Sequence, residues 1–231
     1  MIKFNIVSFF PKLFHEYFKC GVIGRYFQKN TENINLIPFK LPKERIDDTP
    51  FGGGPGMLIK ANIVDKIIED NKLKNIIFLS PVGEVFNANI CKELSELKEI
   101  SIICGRYEGI DRRVIDYHNI REISVGDYIL SCGEPAAIII VDSVIRLIKG
   151  TLNNEESNIQ ESFNFFLEHD QYTQPRVWNN MQVPNVLLSG NHKEINEWKF
   201  NNSLERTIKN RPDLFKKFYI TFIQFLFYIL K

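Results

Sequence analysis

Two glycine-rich turns lie less than thirty residues apart in this chain, each following a short apolar run. Gly105–Gly109 comes after Ile100-Ser101-Ile102-Ile103-Cys104, and Gly126–Gly133 after Ile120-Arg121-Glu122-Ile123-Ser124-Val125. Glycine behind a strand permits a tight bend and lets the backbone approach a ligand closely, because no Cβ intervenes. In α/β sheets ligands collect at the carboxyl ends of strands. The stretch Cys104–Ala137 therefore reads as a ligand site, although its residue types do not name the ligand. A further loop places four glycines and two prolines in the seven residues 50–56. It serves either as a flexible connection or as bare backbone N–H groups facing an anion such as phosphate. It lacks the Lys-Ser/Thr ending of a nucleotide P-loop, which excludes that motif.

Charged candidates are few. Asp142 and Arg146 stand four apart on a helical pattern, acid first, the orientation of a helix ion pair; on the residues alone Arg146 serves that pair. The net charge of +1 gives no global argument for nucleic acid, so such a partner must rest on a local patch. From Lys193 to Lys217 there are seven Lys/Arg against four acids, a modest basic face with Trp198 in it and Trp178 nearby. Those tryptophans fit base stacking or, more ordinarily, core or interface anchoring. Cys20, Cys91, Cys104 and Cys132 are scattered, which points to reduced cytosolic thiols rather than a disulfide framework or zinc site. No spacing marks a metal centre.

These residues need a scaffold to position them. A chain of 231 residues suits one large domain, or a large one with a small one. Strands are predicted at Ile2–Val7, Ile34–Phe39, Asn75–Leu79, Ile100–Cys104 and Ile120–Val125. Helices are predicted at Lys12–Lys19, Ala61–Asn71, Asn87–Leu97, Ile110–Tyr117 and Ala136–Lys149. Gly21 and Gly24 mark a turn. Ile138, Val141, Ile145 and Ile148 are the expected buried stripe of the last of these helices. The alternation implies a mostly parallel sheet with helices on both faces, by default a doubly wound one. Composition then shifts: 151–170 holds five acids and no Lys or Arg, and 153–159 reads as a solvated linker. A short helix around Ser162–Leu167, an irregular stretch, and the helices His192–Asn210 and Pro212–Leu230 follow. The apolar segment Phe218–Leu230 is shorter than the ~20 residues of a membrane span, so it reads as a packed terminal helix. The amino-terminal residues do not form a signal peptide, and the expected compartment is the cytoplasm.

Six strings go beyond a generic α/β pattern: PFGGGPGM (50–57), LSPVG (79–83), CGRYEGID (104–111), SVGDYILSCGE (124–134), VDSVIR (141–146) and VPNVLLSGNH (183–192). In this order and spacing, over roughly residues 1–214, the chain closely resembles the bacterial tRNA (guanine-N1)-methyltransferases. The resemblance implies a trefoil-knotted, parallel-sheet α/β methyltransferase domain over 1–152, an acidic flexible linker over 153–170, and a helical RNA-binding domain over 171–231. It overrides the doubly wound default, since ordinary topology rules disfavour knots. It also implies a homodimer with composite active sites, S-adenosylmethionine as methyl donor, and tRNA carrying guanosine 37 as substrate; a divalent ion is left open, the sequence marking no cluster for one.

Carried over by position, the donor is expected against Phe78, Leu79, Ser80, Pro81, Gly105, Tyr107 and Glu108, and against Val125, Gly126, Asp127, Tyr128, Ile129, Leu130, Cys132 and Gly133. Arg146 matches the family's catalytic arginine, which reverses the ion-pair reading. Glu161 matches the general base, and Ser162, Arg176, Lys193, Lys199 and Arg206 fall on the RNA side. The chain also departs from the family. Glu161 replaces an Asp, reaching one methylene further. Cys132 replaces a Gly, a strained choice if that position needs positive φ. Proline stands at 135 rather than 136, Gln174 occupies a commonly basic position, and the apolar tail after Lys217 has no counterpart. Two other readings fit the same strings: a knotted methyltransferase acting at another RNA site, and an RNA-binding relative without turnover.

Overall fold

The computed structural model describes residues 2–39, 45–151 and 166–229, with side chains to residue 220. The chain divides into two compact units, 1–153 and 154–231. In the first, five parallel strands form one sheet: β1 (Lys3–Ser8), β2 (Ile34–Pro38), β5 (Ile76–Val85), β6 (Glu99–Ile103) and β7 (Arg121–Ser124), in the order β2-β1-β6-β5-β7. A separate two-residue pair, β3 (Asp47–Asp48) and β4 (Leu58–Ile59), closes the base of the glycine-rich loop. Strands buried on both faces read as continuous apolar runs, as Phe4-Asn5-Ile6-Val7 and Ile100-Ser101-Ile102-Ile103 do. The exceptions are paired: Asn5 Nδ2 donates to Glu99 at 2.7 Å and to Ser101 Oγ at 3.3 Å, so the buried amide keeps its partners.

Six helices flank this sheet: α1 (Pro11–Tyr17), α2 (Gly21–Lys29), α3 (Ala61–Asn71), α4 (Ala88–Ser95), α5 (Arg112–Tyr117) and α6 (Glu134–Leu147). They divide the apolar residues into two clusters. One gathers Phe14, Phe27, Leu94, Ile140 and Val144 around α1, α2, α4 and α6. The other gathers Ile63, Ile67, Val114 and Ile120 around α3 and α5.

Three expectations change. The Gly21–Gly24 turn is the first half of helix α2. Gly24 is needed there because a Cβ would stand 2.4 Å from the Lys19 carbonyl oxygen, so the glycine marks close approach rather than chain reversal. Strand β5 does not stop at Ser80-Pro81: Leu79 and Glu84 both pair with Ile123, so residues 80–83 bulge out between them. Helix α6 buries Ala137, Ile140, Val141, Val144 and Ile145 completely, while Ile138 and Ile148 only flank the core. Its stripe is thus rotated from the expected one.

Among the described residues the second unit holds a hairpin of β8 (Val177–Trp178) and β9 (Met181–Gln182) and three helices, α7 (Asn185–Leu188), α8 (His192–Asn210) and α9 (Pro212–Ile229). Asn191 caps α8 by accepting from the Lys193 N–H at 3.2 Å. Among the described residues no helix is long and apolar enough to cross a membrane. The helix expected around Ser162–Leu167 and the stretch 153–159 lie mainly or wholly outside the described residues.

Candidate active site

The two glycine turns meet in space. The Gly133 N–H donates to the Gly105 carbonyl at 2.9 Å, and a Cβ on Gly133 would stand 2.7 Å from Gly105 N and 2.9 Å from Cys104 Cα. Only a residue without a side chain fits between those backbones. Beside this seam opens a cavity of about 460 Å³, walled by Phe78 and the β5 bulge, by the turn after β6, by the turn after β7, and by the start of α6. It lies at the carboxyl ends of parallel strands, where such folds place ligands.

Fourteen of the fifteen expected donor residues line this one cavity: Phe78, Leu79, Ser80, Pro81, Gly105, Tyr107, Glu108, Val125, Gly126, Tyr128, Ile129, Leu130, Cys132 and Gly133. Asp127 is exposed and is not among the lining residues. Sequence reasoning missed Arg106, which also lines the cavity and is held over Phe9, Phe10 and Tyr107, with its guanidinium carbon 4.9 Å from the Phe10 ring centre. Its place between Gly105 and Tyr107 was the available signal.

Behind the seam, Glu134 is completely buried at the start of α6. Its Oε1 accepts from Ser8 Oγ at 2.7 Å, Phe9 N–H at 3.1 Å and Phe10 N–H at 3.3 Å. These bonds tie the end of β1, and with it the rings under Arg106, to the turn that carries Gly133. Cys132 does not take positive φ, so the strain anticipated for a cysteine at that position is absent. Burial, with the Glu134 carboxylate beside it, pushes its thiol above the ordinary range. Burial raises Cys104 much further. Thiolate is the reactive form, so both should alkylate slowly near neutral pH. Timed iodoacetamide labelling with peptide mass spectrometry should mark the exposed Cys20 first; early labelling of Cys132 would contradict this environment.

The charged candidates stand elsewhere. Arg146 is half-buried in the last turn of α6 and does not line the cavity. At ~1.5 Å per residue it lies about 15 Å along the helix from Ala136 at the cavity edge. Asp142, one turn before it, accepts from the Tyr17 hydroxyl at 2.5 Å, and this bond pushes the Tyr17 phenol up to about 12. Glu161 and Ser162 lie outside the described residues. In the second unit Arg176 and Lys193 are exposed and Lys199 is half-buried. Arg206 is ion-paired with Asp170, which also accepts from Asn202 Nδ2 at 3.1 Å, so this arginine anchors the segment before β8 onto α8.

The glycine-rich loop 50–56 borders a second cavity of about 900 Å³ whose lining mixes Asp48, Asp65 and Asp111 with Lys60 and Arg113. Arg113 is itself held by Asp111 at 2.7 Å. That balance of charge does not favour an anion cradle. Gly56 instead seats the loop against the Glu108 side chain, and the Glu108 N–H donates to the Met57 carbonyl at 3.0 Å, linking loop and donor cavity. One cluster escaped the sequence spacing. Asp65, Glu69 and His118 bring their ligand atoms within 4.8 Å of one another, with His118 Nε2 2.7 Å from Asp65 Oδ1.

A parallel sheet flanked by helices, with glycine bends closing over a cavity at the strand ends, defines an α/β fold of the class that places ligands there. The particular family follows from comparison: a model described as tRNA (Guanine-1)-methyltransferase TrmD matches residues 2–217, and the chain belongs to this methyltransferase family. Similar proteins include the tRNA (guanine-N(1)-)-methyltransferases of Ehrlichia canis (strain Jake), 42% identical over 92% of this chain and 95% of that protein, and of Wolbachia pipientis wMel, 44% identical over 91% and 94%. That of Pelagibacter ubique (strain HTCC1062) is 42% identical over 94% and 99%.

Proposed function

We propose that this enzyme transfers a methyl group from S-adenosylmethionine to N1 of guanosine 37 in the tRNA anticodon loop. The observation that carries the reading is the junction of the two family glycine turns, Gly133 on Gly105, beside a cavity lined by fourteen residues expected at a donor. Its volume lies in the range of small-molecule sites, ~300–1,000 Å³, and its walls offer aromatic faces, backbone groups and the Glu108 carboxylate. When bound, the donor supplies an electrophilic sulfonium methyl.

The chain must then prepare the nucleophile. As N1 bonds to the methyl carbon and the carbon–sulfur bond breaks, the N1 proton passes to the Glu161 carboxylate. Guanine N1–H is a far weaker acid than a carboxylic acid of ordinary pKa, about 4.3. Proton removal therefore accompanies methyl attack, and Arg146 stabilises the negative charge growing on guanine O6. Arg146 does not line the cavity and stands nearly three helix turns, ~15 Å, along α6 from Ala136 at its edge. A shared site in a homodimer resolves this. Phe10 just before α1, Leu13 and Tyr17 within it, and Ile139 from α6 are exposed large hydrophobics around the Tyr17–Asp142 contact, a face suited to a second copy. The trefoil knot, the 1–152, 153–170 and 171–231 division, and action in the cytoplasm belong to the same proposal.

In this reading Arg176, Lys193 and Lys199 meet RNA phosphates, so raising salt from 50 to 200 mM should weaken tRNA binding by an order of magnitude or more; a flat response in filter binding would remove that surface. The reading itself is tested with tRNA transcripts identical except at position 37 and labelled donor. Label should enter the guanosine 37 transcript alone. Equal labelling of both would support the rival reading of another RNA site, and donor binding without any label would support the non-catalytic one.

A further inference from the structure

The chain has two tryptophans, and the structure treats them differently. Trp198 packs inside the second unit, 6.1 Å from the Tyr172 ring and 6.2 Å from that of His169. Trp178 is 61% exposed at the tip of the β8–β9 hairpin. That hairpin is tightly specified. Trp178 pairs with Met181, Val177 with Gln182, and the Val183 N–H donates to the Arg176 carbonyl at 3.0 Å. The two connecting residues, Asn179 and Asn180, take φ of 48° and 62°, the left-handed pair that a two-residue hairpin turn requires and asparagine tolerates.

Side chains alternate across a strand, and directly paired residues share a face. Arg176, Trp178, Met181 and Val183 therefore project from one side of the hairpin. The side holds one cation, one large ring, one thioether and no acid. Trp178 and its paired neighbour Met181, 59% exposed, form an exposed apolar patch rather than a lone surface residue, and such a patch marks an interaction surface. A flat aromatic beside a guanidinium matches an unpaired nucleobase, whose π-face stacks on the ring while its phosphate meets the arginine. The same unit carries the basic excess of α8 and α9, seven Lys/Arg against four acids from 193 to 217. This favours a polyanion over an apolar protein surface.

We infer that Trp178 is a stacking platform for an unpaired base of the RNA substrate, with Arg176 on the adjoining phosphate. The inference rests on tRNA being the substrate, and it names a contact residue outside the donor cavity.

The test uses the full-length protein carrying Trp198→Phe, excited at the indole's red edge so that Trp178, the remaining tryptophan, is read rather than the tyrosines. Titration with tRNA should quench its emission. In the otherwise unaltered enzyme, Trp178→Ala should raise KM for tRNA at least fivefold, in keeping with the loss of one base stack. The same change should leave kcat within about twofold and donor affinity unaltered, because Trp178 is not among the residues that line the donor cavity. Trp178→Phe, which keeps a ring, should recover most of the loss. Unchanged KM in Trp178→Ala, or no quenching, would overturn the inference. So would a shift of Trp178→Ala toward monomer in sedimentation, which would place the indole in a protein interface. Should the wild-type enzyme methylate no tRNA, the proposed activity fails, yet quenching by tRNA still decides whether Trp178 meets RNA.

Discussion

Glu161→Gln should abolish measurable turnover, lowering kcat by about 10³-fold or more, while leaving donor binding intact. The amide keeps the size and much of the hydrogen bonding of the carboxylate but cannot accept the N1 proton, and positioned proton transfer typically contributes ~10²–10⁴ in rate. Arg146→Ala should cost ~10²–10³ through lost charge stabilisation at O6. The two losses should be less than additive if both groups serve one transition state. Single-turnover methylation checks the rates, and calorimetric titration with S-adenosylhomocysteine checks that binding survives. Glu161→Asp separates geometry from chemistry: retained turnover would show that the extra methylene is incidental. Full activity of Glu161→Gln would remove this residue from the mechanism.

The second large effect is expected at Gly133→Ala. The added methyl would stand 2.7 Å from Gly105 N and 2.9 Å from Cys104 Cα, and both neighbours are backbone. The end of β6 beneath cannot yield, since Ile102, Ile103 and the following Cys104 are all fully buried. The turn carrying Gly133 must therefore lift away, breaking its hydrogen bond to Gly105 and loosening the Glu134 tie to Ser8. Overpacking of this kind costs about 1–3 kcal/mol, a shift resolvable in thermal unfolding. The loss in donor affinity should be larger in proportion, because the moved turn forms a wall of the cavity. Cys132→Gly is the contrasting change. Cys132 takes an ordinary backbone conformation and lines the cavity with a half-buried thiol, so its removal should leave stability nearly unchanged.

Much of the sheet was legible because buried parallel strands announce themselves as apolar runs. β1, β2, β6 and β7 fall within a residue or two of their predicted bounds, and α3 and α8 match theirs. Helix α2 was not, because Gly21 and Gly24 carry the composition of a turn while serving a helix packed against Lys19. The β8–β9 hairpin hid for a related reason: its turn is Asn-Asn rather than Asn-Gly, between prolines at 175 and 184. At the site, local strings pointed to segments that line one cavity and the family resemblance implies a ligand for it, but two things depend on the fold alone. The seam between Gly105 and Gly133 joins residues twenty-eight apart, and Asp65 meets His118 across fifty-three. No spacing rule reaches that far, since such pairs are set by strand order. Arg106 was legible in principle, lying inside a turn already singled out; its aromatic support from Phe9 and Phe10 was not.

The central claim is that the methyl donor sits beside the joined glycine turns. A crystal structure with S-adenosylhomocysteine bound tests it most directly. The ligand should lie between Phe78 and the 125–130 turn, against the Gly105–Gly133 seam. Ligand density elsewhere, such as the cavity bordered by residues 48–51 and Arg113, or a seam that opens without admitting the ligand, would contradict it.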